Sequence, residues 1–233
     1  MAQVFHRSAN TIARASIIGV VLVVSVLLWA ALEMQRSPYA TYQDIAQAQP
    51  VPFSHQHHNS GLGIDCRYCH TSVESSSYAG IPPTKTCMNC HSQIWTNAPL
   101  LEPVRESYRT GKSLMWTKVT YIPDYVYFDH SIHINKGVGC ASCHGPVNQM
   151  PLMRQVSSMR MEWCLSCHRA TEQYLRPRDQ VFNMTYQQPS AGHPVTLADG
   201  SVFTDQLALG TELRHRYNVR SVEGITSCNT CHR

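Results

Sequence analysis

The sequence predicts a fold of loops and short α-helices with little β-structure, preceded by one transmembrane helix. Outside one N-terminal apolar run, the chain of 233 residues has few long apolar stretches, and charged residues make up only 15% of it, against roughly 25% in an ordinary soluble domain. All ten cysteines fall in one repeated pattern. Because aliphatic side chains are too few to fill the interior of a domain this large, we expect another group to fill it.

The repeated pattern is Cys-x-x-Cys-His, which occurs five times and leaves no cysteine over. This is the attachment pattern of c-type haem. Two thiols three positions apart on a helical turn can add to the two vinyl groups of one porphyrin, and the next imidazole can ligate its iron. A zinc knuckle does not require that histidine, and a disulfide framework would not place it there five times. We number the units motif 1 to motif 5 in chain order: Cys66–His70, Cys87–His91, Cys140–His144, Cys164–His168 and Cys228–His232.

The motifs predict five covalently bound haem c groups, stacked so that they form the core, and no catalytic residues. The expected attachment residues are Cys66, Cys69, Cys87, Cys90, Cys140, Cys143, Cys164, Cys167, Cys228 and Cys231. The expected proximal iron ligands are His70, His91, His144, His168 and His232.

One N-terminal segment is apolar enough to cross a membrane. Residues 15–32 carry no charge, and as a helix they would span about 27 Å, near the hydrocarbon thickness of a bilayer. Arg7 and Arg14 precede the segment, which predicts a cytoplasmic N-terminus at 1–14, and Trp29 suits the far interface. A cleaved signal peptide is the alternative, but no convincing Ala-x-Ala site closes the run. We therefore expect a single-pass signal anchor in the cytoplasmic membrane, with the haem domain on the periplasmic side.

The spacing of the motifs predicts an internal duplication. Their first cysteines lie 21, 53, 24 and 64 residues apart, alternately short and long. Phe53-x-His55-x-x-His58 precedes motif 1, and Phe128-x-His130-x-x-His133 precedes motif 3. Such periodicity indicates repeated units with a shared interior. The predicted segments are a linker at 33–52, two-haem modules at 53–127 and 128–190, and a fifth-haem segment at 191–233, with a hairpin at Asp199-Gly200 as the expected β-structure.

The sixth coordination position of each iron decides between catalysis and electron transfer. Catalysis needs an open or weakly held position, whereas electron transfer favours two protein ligands. Enough ligands are present to close every haem. The candidates for this distal position are His55, His58, His130, His133, His193, His215 and Met161. His57 is a weaker candidate because a lone loop histidine is ordinarily solvated, and Met150 and Met159 are weaker because a methionine more often packs than ligates.

The Phe-x-His-x-x-His element resembles that of small multihaem cytochromes of the c3 and c7 type. In those proteins the first histidine ligates the haem just downstream, and the second reaches a neighbouring haem. The resemblance implies that His55 serves motif 1 and that His130 serves motif 3. It also implies that His58 and His133 cross to other haems, which leaves His193 and His215 for the remainder.

Over most of its length the chain resembles the membrane-anchored pentahaem cytochrome c subunit of alternative complex III. PFSHQHHNSGLGIDCRYCHTSVE, YFDHSIHINKGVGCASCHGPV and MEWCLSCHR carry the resemblance. It implies an electron-transfer wire that is not itself an enzyme, within a complex that oxidises quinol and passes electrons to a periplasmic carrier or an oxidase. The implied partners are an iron–sulfur protein, multispan quinol-binding subunits and a monohaem cytochrome c.

Two other functions remain open. A self-contained quinol dehydrogenase that feeds a periplasmic reductase would need an acid such as Glu33 or Asp44 beside the membrane. A catalytic reductase needs a five-coordinate haem, often marked by lysine in place of the motif histidine, whereas all five motifs here end in histidine. Nucleic acid is not an expected partner, because the formal net charge is +4 and no basic stripe remains once haem propionates are counted.

Overall fold

The computed structural model describes residues 4–232, and contacts within the chain divide it after Asp44 into two units. The first unit is mainly one exposed helix, α1 (Ala9–Arg36), followed by the short α2 (Pro38–Thr41). Helix α1 has 28 residues, a length of about 42 Å, and is long and apolar enough to cross a membrane. It extends beyond 15–32 at both ends because most of the flanking residues, among them Ala13, Arg14 and Met34, favour a helix.

The second unit consists of short helices joined by loops, as the sequence predicts. A π-helical turn at Gln56–Gly61 opens it. The α-helices that follow are α3 (Cys66–Cys69), α4 (Thr84–His91), α5 (Glu102–Thr110), α6 (His130–Asn135), α7 (Cys140–His144), α8 (Met161–Arg169), α9 (Gln206–Arg216), α10 (Val222–Thr226) and α11 (Cys228–Cys231). Single 3-10 turns occur at Pro99–Leu101, Val147–Gln149, Thr171–Gln173 and Arg178–Gln180.

The predicted hairpin is confirmed, and it is the one sheet within residues 4–232. Strand β1 (Val195–Thr196) pairs antiparallel with β2 (Val202–Phe203), with Val195 opposite Phe203. Gly200 supplies the positive φ of 85° that the turn requires. The Asp199 carboxylate accepts hydrogen bonds from the Ser201 backbone N–H at 3.0 Å and hydroxyl at 2.7 Å, which closes the loop.

All five motifs lie on short helices, namely α3, α4, α7, α8 and α11. On a helix, residues three apart face the same side, so the two cysteines of a motif lie together. Aspartates before three helices help to fix where the chain turns. Asp65, Asp129 and Asp205 each accept a hydrogen bond from a backbone N–H in the first turn of α3, α6 and α9, a cap worth about 1 kcal/mol.

The aliphatic core is divided into three small clusters among the described residues. One joins Leu175 and Leu197 to Leu209 and Leu213 of α9. The second is built on Val51, Leu101 and Val104, and the third on Val73, Ile134 and Val181. The second cluster packs against Cys87 of motif 2 and the third against Cys140 of motif 3, and the three do not form one continuous core. This agrees with the expectation that aliphatic side chains do not fill the interior.

Helix α9 packs very closely on the 3-10 turn Thr171–Gln173 that follows motif 4. A Cβ atom at Gly210 would lie 1.8 Å from the carbonyl oxygen of Glu172, so the helix approaches that turn only because residue 210 has no side chain. Arg214, one turn later, forms an ion pair with Glu172. The glycine therefore sets the distance between α9 and the segment after motif 4.

Replacing this glycine should loosen the fold. Gly210→Ala forces α9 away from Glu172, and overpacking of this kind costs about 2–3 kcal/mol, so thermal unfolding of the haem-loaded protein should begin roughly 5–10 °C lower. Gly224→Ala in α10 is the matched control, because its Cβ would meet Ser221 Oγ at an ordinary 3.5 Å. Equal melting of the two variants would contradict the close-packing account.

Candidate haem sites

Four pairs of imidazole rings face one another in the second unit. Each pair joins the histidine of one motif to one histidine of a Phe-x-His-x-x-His element. The pairs and their ring-centroid distances are His55 with His70 at 6.5 Å, His58 with His91 at 6.3 Å, His130 with His144 at 6.4 Å, and His133 with His168 at 6.2 Å. Motifs 1 to 4 thus each have one opposing imidazole.

The spacing of these pairs fits an iron between the rings. A histidine nitrogen lies about 2.0 Å from a metal that it ligates and its ring centroid about 1.1 Å beyond, so two imidazoles on opposite sides of one ion have centroids about 6.2 Å apart. The four measured distances differ by only 0.3 Å. The rings of the pairs at motifs 1 and 3 are nearly parallel, at 4° and 1°, whereas those at motif 2 are inclined by 67°.

Backbone carbonyls select which nitrogen of each imidazole can bind a metal. A carbonyl oxygen accepts a hydrogen bond only from a protonated nitrogen, so a bond from Nδ1–H leaves the Nε2 lone pair free. Metal-ligating histidines ordinarily have such a partner. Motif histidines donate in this way from His70 to Gly80, from His91 to Ile94, from His168 to Ile225 and from His232 to Tyr125. Opposing histidines donate from His58 to Ser54, from His130 to Ser77 and from His133 to Asp129.

The two Phe-x-His-x-x-His elements share one local geometry. Phe53 meets the ring of His55 edge-on at 4.9 Å and stacks on His58 at 4.3 Å. The corresponding phenylalanine meets His130 edge-on at 4.8 Å and stacks on His133 at 4.5 Å. One aromatic ring therefore orients both histidines of its element, which sends them towards two different motifs.

Burial keeps several of these imidazoles neutral, the state in which they can ligate iron. Burial lowers the pKa of His55 to about 4, and the nearby His70, His58 and His144 lower it further. Burial likewise lowers the pKa of His144 to about 4, with added effects of His130 and His70. Neither ring is protonated at neutral pH, so both have a lone pair available.

The cysteine thiols do not favour the zinc alternative. All ten are free, and burial raises the pKa of Cys143 to about 12, with the neighbouring Cys167 adding to the effect. Within residues 4–232, no group of three or more His, Cys, Asp or Glu side chains has an arrangement that could hold a metal ion.

Motif 5 differs from the other four. The ring that contacts His232 is Tyr125, at 5.7 Å, and Tyr125 also supplies its carbonyl partner. His193 and His215 are exposed, and no ring contact within the described residues joins either of them to a motif histidine. Met161 is 71% exposed at the start of α8. The distal partner of motif 5 remains a prediction shared among these three residues.

Sequence reasoning missed the residues that orient the ligands. Tyr125 and Ser77 act through backbone carbonyls, which any residue type carries, so no motif could have revealed them. Trp95 stacks on His57 at 5.7 Å and lies 6.2 Å from His91. Its position four residues after motif 2 was a usable signal, because an aromatic ring beside an axial ligand shields it from water.

Comparisons with known proteins agree with the geometry. Residues 126–233, which hold motifs 3 to 5, match the family model described as cytochrome c7 and related cytochrome c. The chain is also similar to the menaquinone reductase, multiheme cytochrome c subunit, of Nitratidesulfovibrio vulgaris, with 34% identity over 128 residues. That alignment covers 54% of this chain and 56% of the relative, so the chain spans about half the length of the curated relative that it matches.

These similarities extend over motifs that themselves carry the attachment pattern of haem c. The fold is the one expected of such a protein, with short helices, loops and little strand. An N-terminal helix long and apolar enough to cross a membrane precedes the motif-bearing unit. In its motifs, its fold and these matches the chain is similar to multihaem cytochromes of the c type, whose cofactor is covalently bound haem c.

Proposed function

We propose that the chain binds five covalent haem c groups, one at each motif, and that four of them have two histidine ligands. The opposing imidazole pairs carry this proposal, since each has the separation that a shared iron requires. The assigned distal ligands are His55 for motif 1, His58 for motif 2, His130 for motif 3 and His133 for motif 4. His193, His215 and Met161 remain the candidates for motif 5.

Bound haem c supplies one-electron exchange between ferrous and ferric iron. The chain contributes the orientation of the ligands. Carbonyl partners leave Nε2 free to bind a metal in six of the eight paired histidines, namely His58, His70, His91, His130, His133 and His168. The paired rings would hold a bound iron from both sides and keep substrate away from it at motifs 1 to 4. Closed coordination favours electron transfer over catalysis, and the chain acts as a wire rather than as an enzyme.

This wire belongs to a membrane complex that oxidises quinol. Helix α1 anchors it in the cytoplasmic membrane, with the haem unit on the periplasmic side. A quinol gives up two electrons and two protons, so the subunit that binds it must release the protons while this chain accepts the electrons one at a time. The partners are an iron–sulfur protein, multispan quinol-binding subunits, a monohaem cytochrome c, and a downstream soluble carrier or oxidase. Similarity to a subunit named for menaquinone chemistry supports a quinone-linked complex.

The name of that relative also favours a second candidate, in which electrons flow the other way. A menaquinone reductase transfers electrons to menaquinone, so the same wire would take them from a periplasmic donor and deliver them to the membrane. Both functions use the same imidazole pairs. They differ in the potentials of the haems relative to the quinone of that membrane.

Removing one distal ligand should open one haem. In His58→Ala the iron at motif 2 loses its second histidine, and the reduced protein should bind one more carbon monoxide per chain than the unsubstituted protein does. His57→Ala is the matched control, because His57 stacks on Trp95 instead of facing a motif histidine. Spectrophotometric titration with carbon monoxide counts the sites, and equal stoichiometry in the two variants would refute the assignment.

A redox titration of the purified complex tests the direction of electron flow. If the complex oxidises quinol, the haems should accept electrons from it, and their midpoint potentials should lie above that of the membrane's quinone couple. The α-band absorbance reports haem reduction at each applied potential. Potentials below that couple would favour the second candidate.

Association with a complex is tested by native electrophoresis of membranes solubilised in mild detergent, stained for haem. The stained band should be much larger than this chain of 26.2 kDa, and mass spectrometry should find an iron–sulfur subunit and multispan subunits in it. A denaturing lane controls for haem staining of the chain itself. If the chain migrates without partner subunits, or with one soluble reductase, the result would instead support a self-contained quinol dehydrogenase.

A further inference from the structure

We propose that the five motifs lie in space in the order 2–1–3–4–5, so that electrons follow a path that does not run in sequence order. The inference rests on the proposed haem binding and adds the route. Each hop along that route oxidises one iron and reduces its neighbour by one electron. Four links between motifs define the order: motif 2 with motif 1, motif 3 with motif 4, motif 1 with motif 3, and motif 4 with motif 5.

Motifs 2 and 1 are joined through a single turn of chain. His55 and His58 lie three residues apart and face His70 of motif 1 and His91 of motif 2. The amide of Asn89, inside motif 2, donates a hydrogen bond to the Tyr68 hydroxyl, inside motif 1, at 3.0 Å.

Motifs 3 and 4 are joined in the same way. His130 and His133 on α6 face His144 of motif 3 and His168 of motif 4. The duplicated element therefore produces two adjacent pairs, 2–1 and 3–4, each held by one phenylalanine.

The two pairs meet at motifs 1 and 3. His130 donates from Nδ1 to the carbonyl of Ser77, in the loop just after motif 1, at 2.9 Å, and Ser131 N–H donates to the carbonyl of Ser76 at 3.1 Å.

A second bridge between motifs 1 and 3 runs through the loop at Val181 and Phe182. The backbone N–H of Cys140 donates to the carbonyl of Val181 at 3.2 Å, while the Arg67 guanidinium lies over the ring of Phe182 at 4.6 Å. Within residues 4–232, no hydrogen bond or ring contact joins motif 2 to motif 3. Motif 1 therefore lies between them.

Motif 5 extends the row beyond motif 4. His168 donates from Nδ1 to the carbonyl of Ile225 in α10 at 2.8 Å, and α10 leads directly into α11, which carries motif 5. Motif 4 is thus linked to motif 3 through the histidines of α6 and to motif 5 through α10.

The exposure of the cysteines supports the same order independently. Cys90 of motif 2 and Cys228 of motif 5 are exposed, while the other eight are partly covered by protein. A linear row leaves its two ends open to solvent and covers its middle. The proposed wire therefore exchanges electrons with its partners at motifs 2 and 5, and motif 3 is its midpoint.

An electron cryomicroscopy map of the intact, haem-loaded complex tests the order directly. The expected result is five irons in a row, with that of motif 1 between those of motifs 2 and 3. An iron of motif 2 lying between those of motifs 1 and 3 would overturn the inference while leaving haem binding intact. A map with fewer than five haems, or with the paired histidines on no iron, would refute the proposed function instead.

A matched pair of variants tests the order in solution. A methionine ligand raises the potential of its haem, so that haem gains its electron before its neighbours are reduced. The added negative charge then shifts the potentials of its direct neighbours. In the order 2–1–3, His55→Met should shift two neighbouring haems and His58→Met only one, as counted by redox titration followed by electron paramagnetic resonance. The sequence order 1–2–3 predicts the reverse count, and that result would overturn the inference.

Discussion

The opposing imidazole pair is the constraint on which the rest of the structure depends. Two rings must face each other across about 6.2 Å with their Nε2 atoms towards the gap, and that geometry leaves little tolerance for movement of either ring. The carbonyl oxygens of Gly80 and Ser77 accept hydrogen bonds from Nδ1 of His70 and His130 and so fix the orientation of these rings. The loops that supply these carbonyls must then be fixed too, which explains how a unit with three small aliphatic clusters maintains defined positions.

The sequence predicted turns and helical motifs formed by residues close together in the chain, because their geometry follows from a few residue types. The hairpin at Asp199-Gly200 required only a turn with a positive φ, and the structure has it. The pairing of His55 with His70 followed from a motif and a resemblance. The extent of α1 was less predictable, since absence of charge bounds the apolar run at 15–32 but does not stop a helix, which continues to Arg36.

Contacts between distant segments could not be predicted in this way. The bond from His130 to the carbonyl of Ser77 spans 53 residues, and that from His168 to Ile225 spans 57. Both use a backbone group that every residue carries, so no side-chain pattern marks them. These hydrogen bonds to backbone carbonyls join the two halves of the duplication and attach motif 5. They therefore determine which motifs are neighbours in space.

The Phe-x-His-x-x-His elements also bear on how such a chain matures. Each lies just upstream of the motifs that its two histidines face, so the imidazole pairs of one module close within a short stretch of chain, and low contact order favours fast folding. The imidazole pairs of a module can then close as soon as that stretch of the chain is available for folding. The first module can become compact while motif 5, at the C-terminal end of the chain, is still being synthesised.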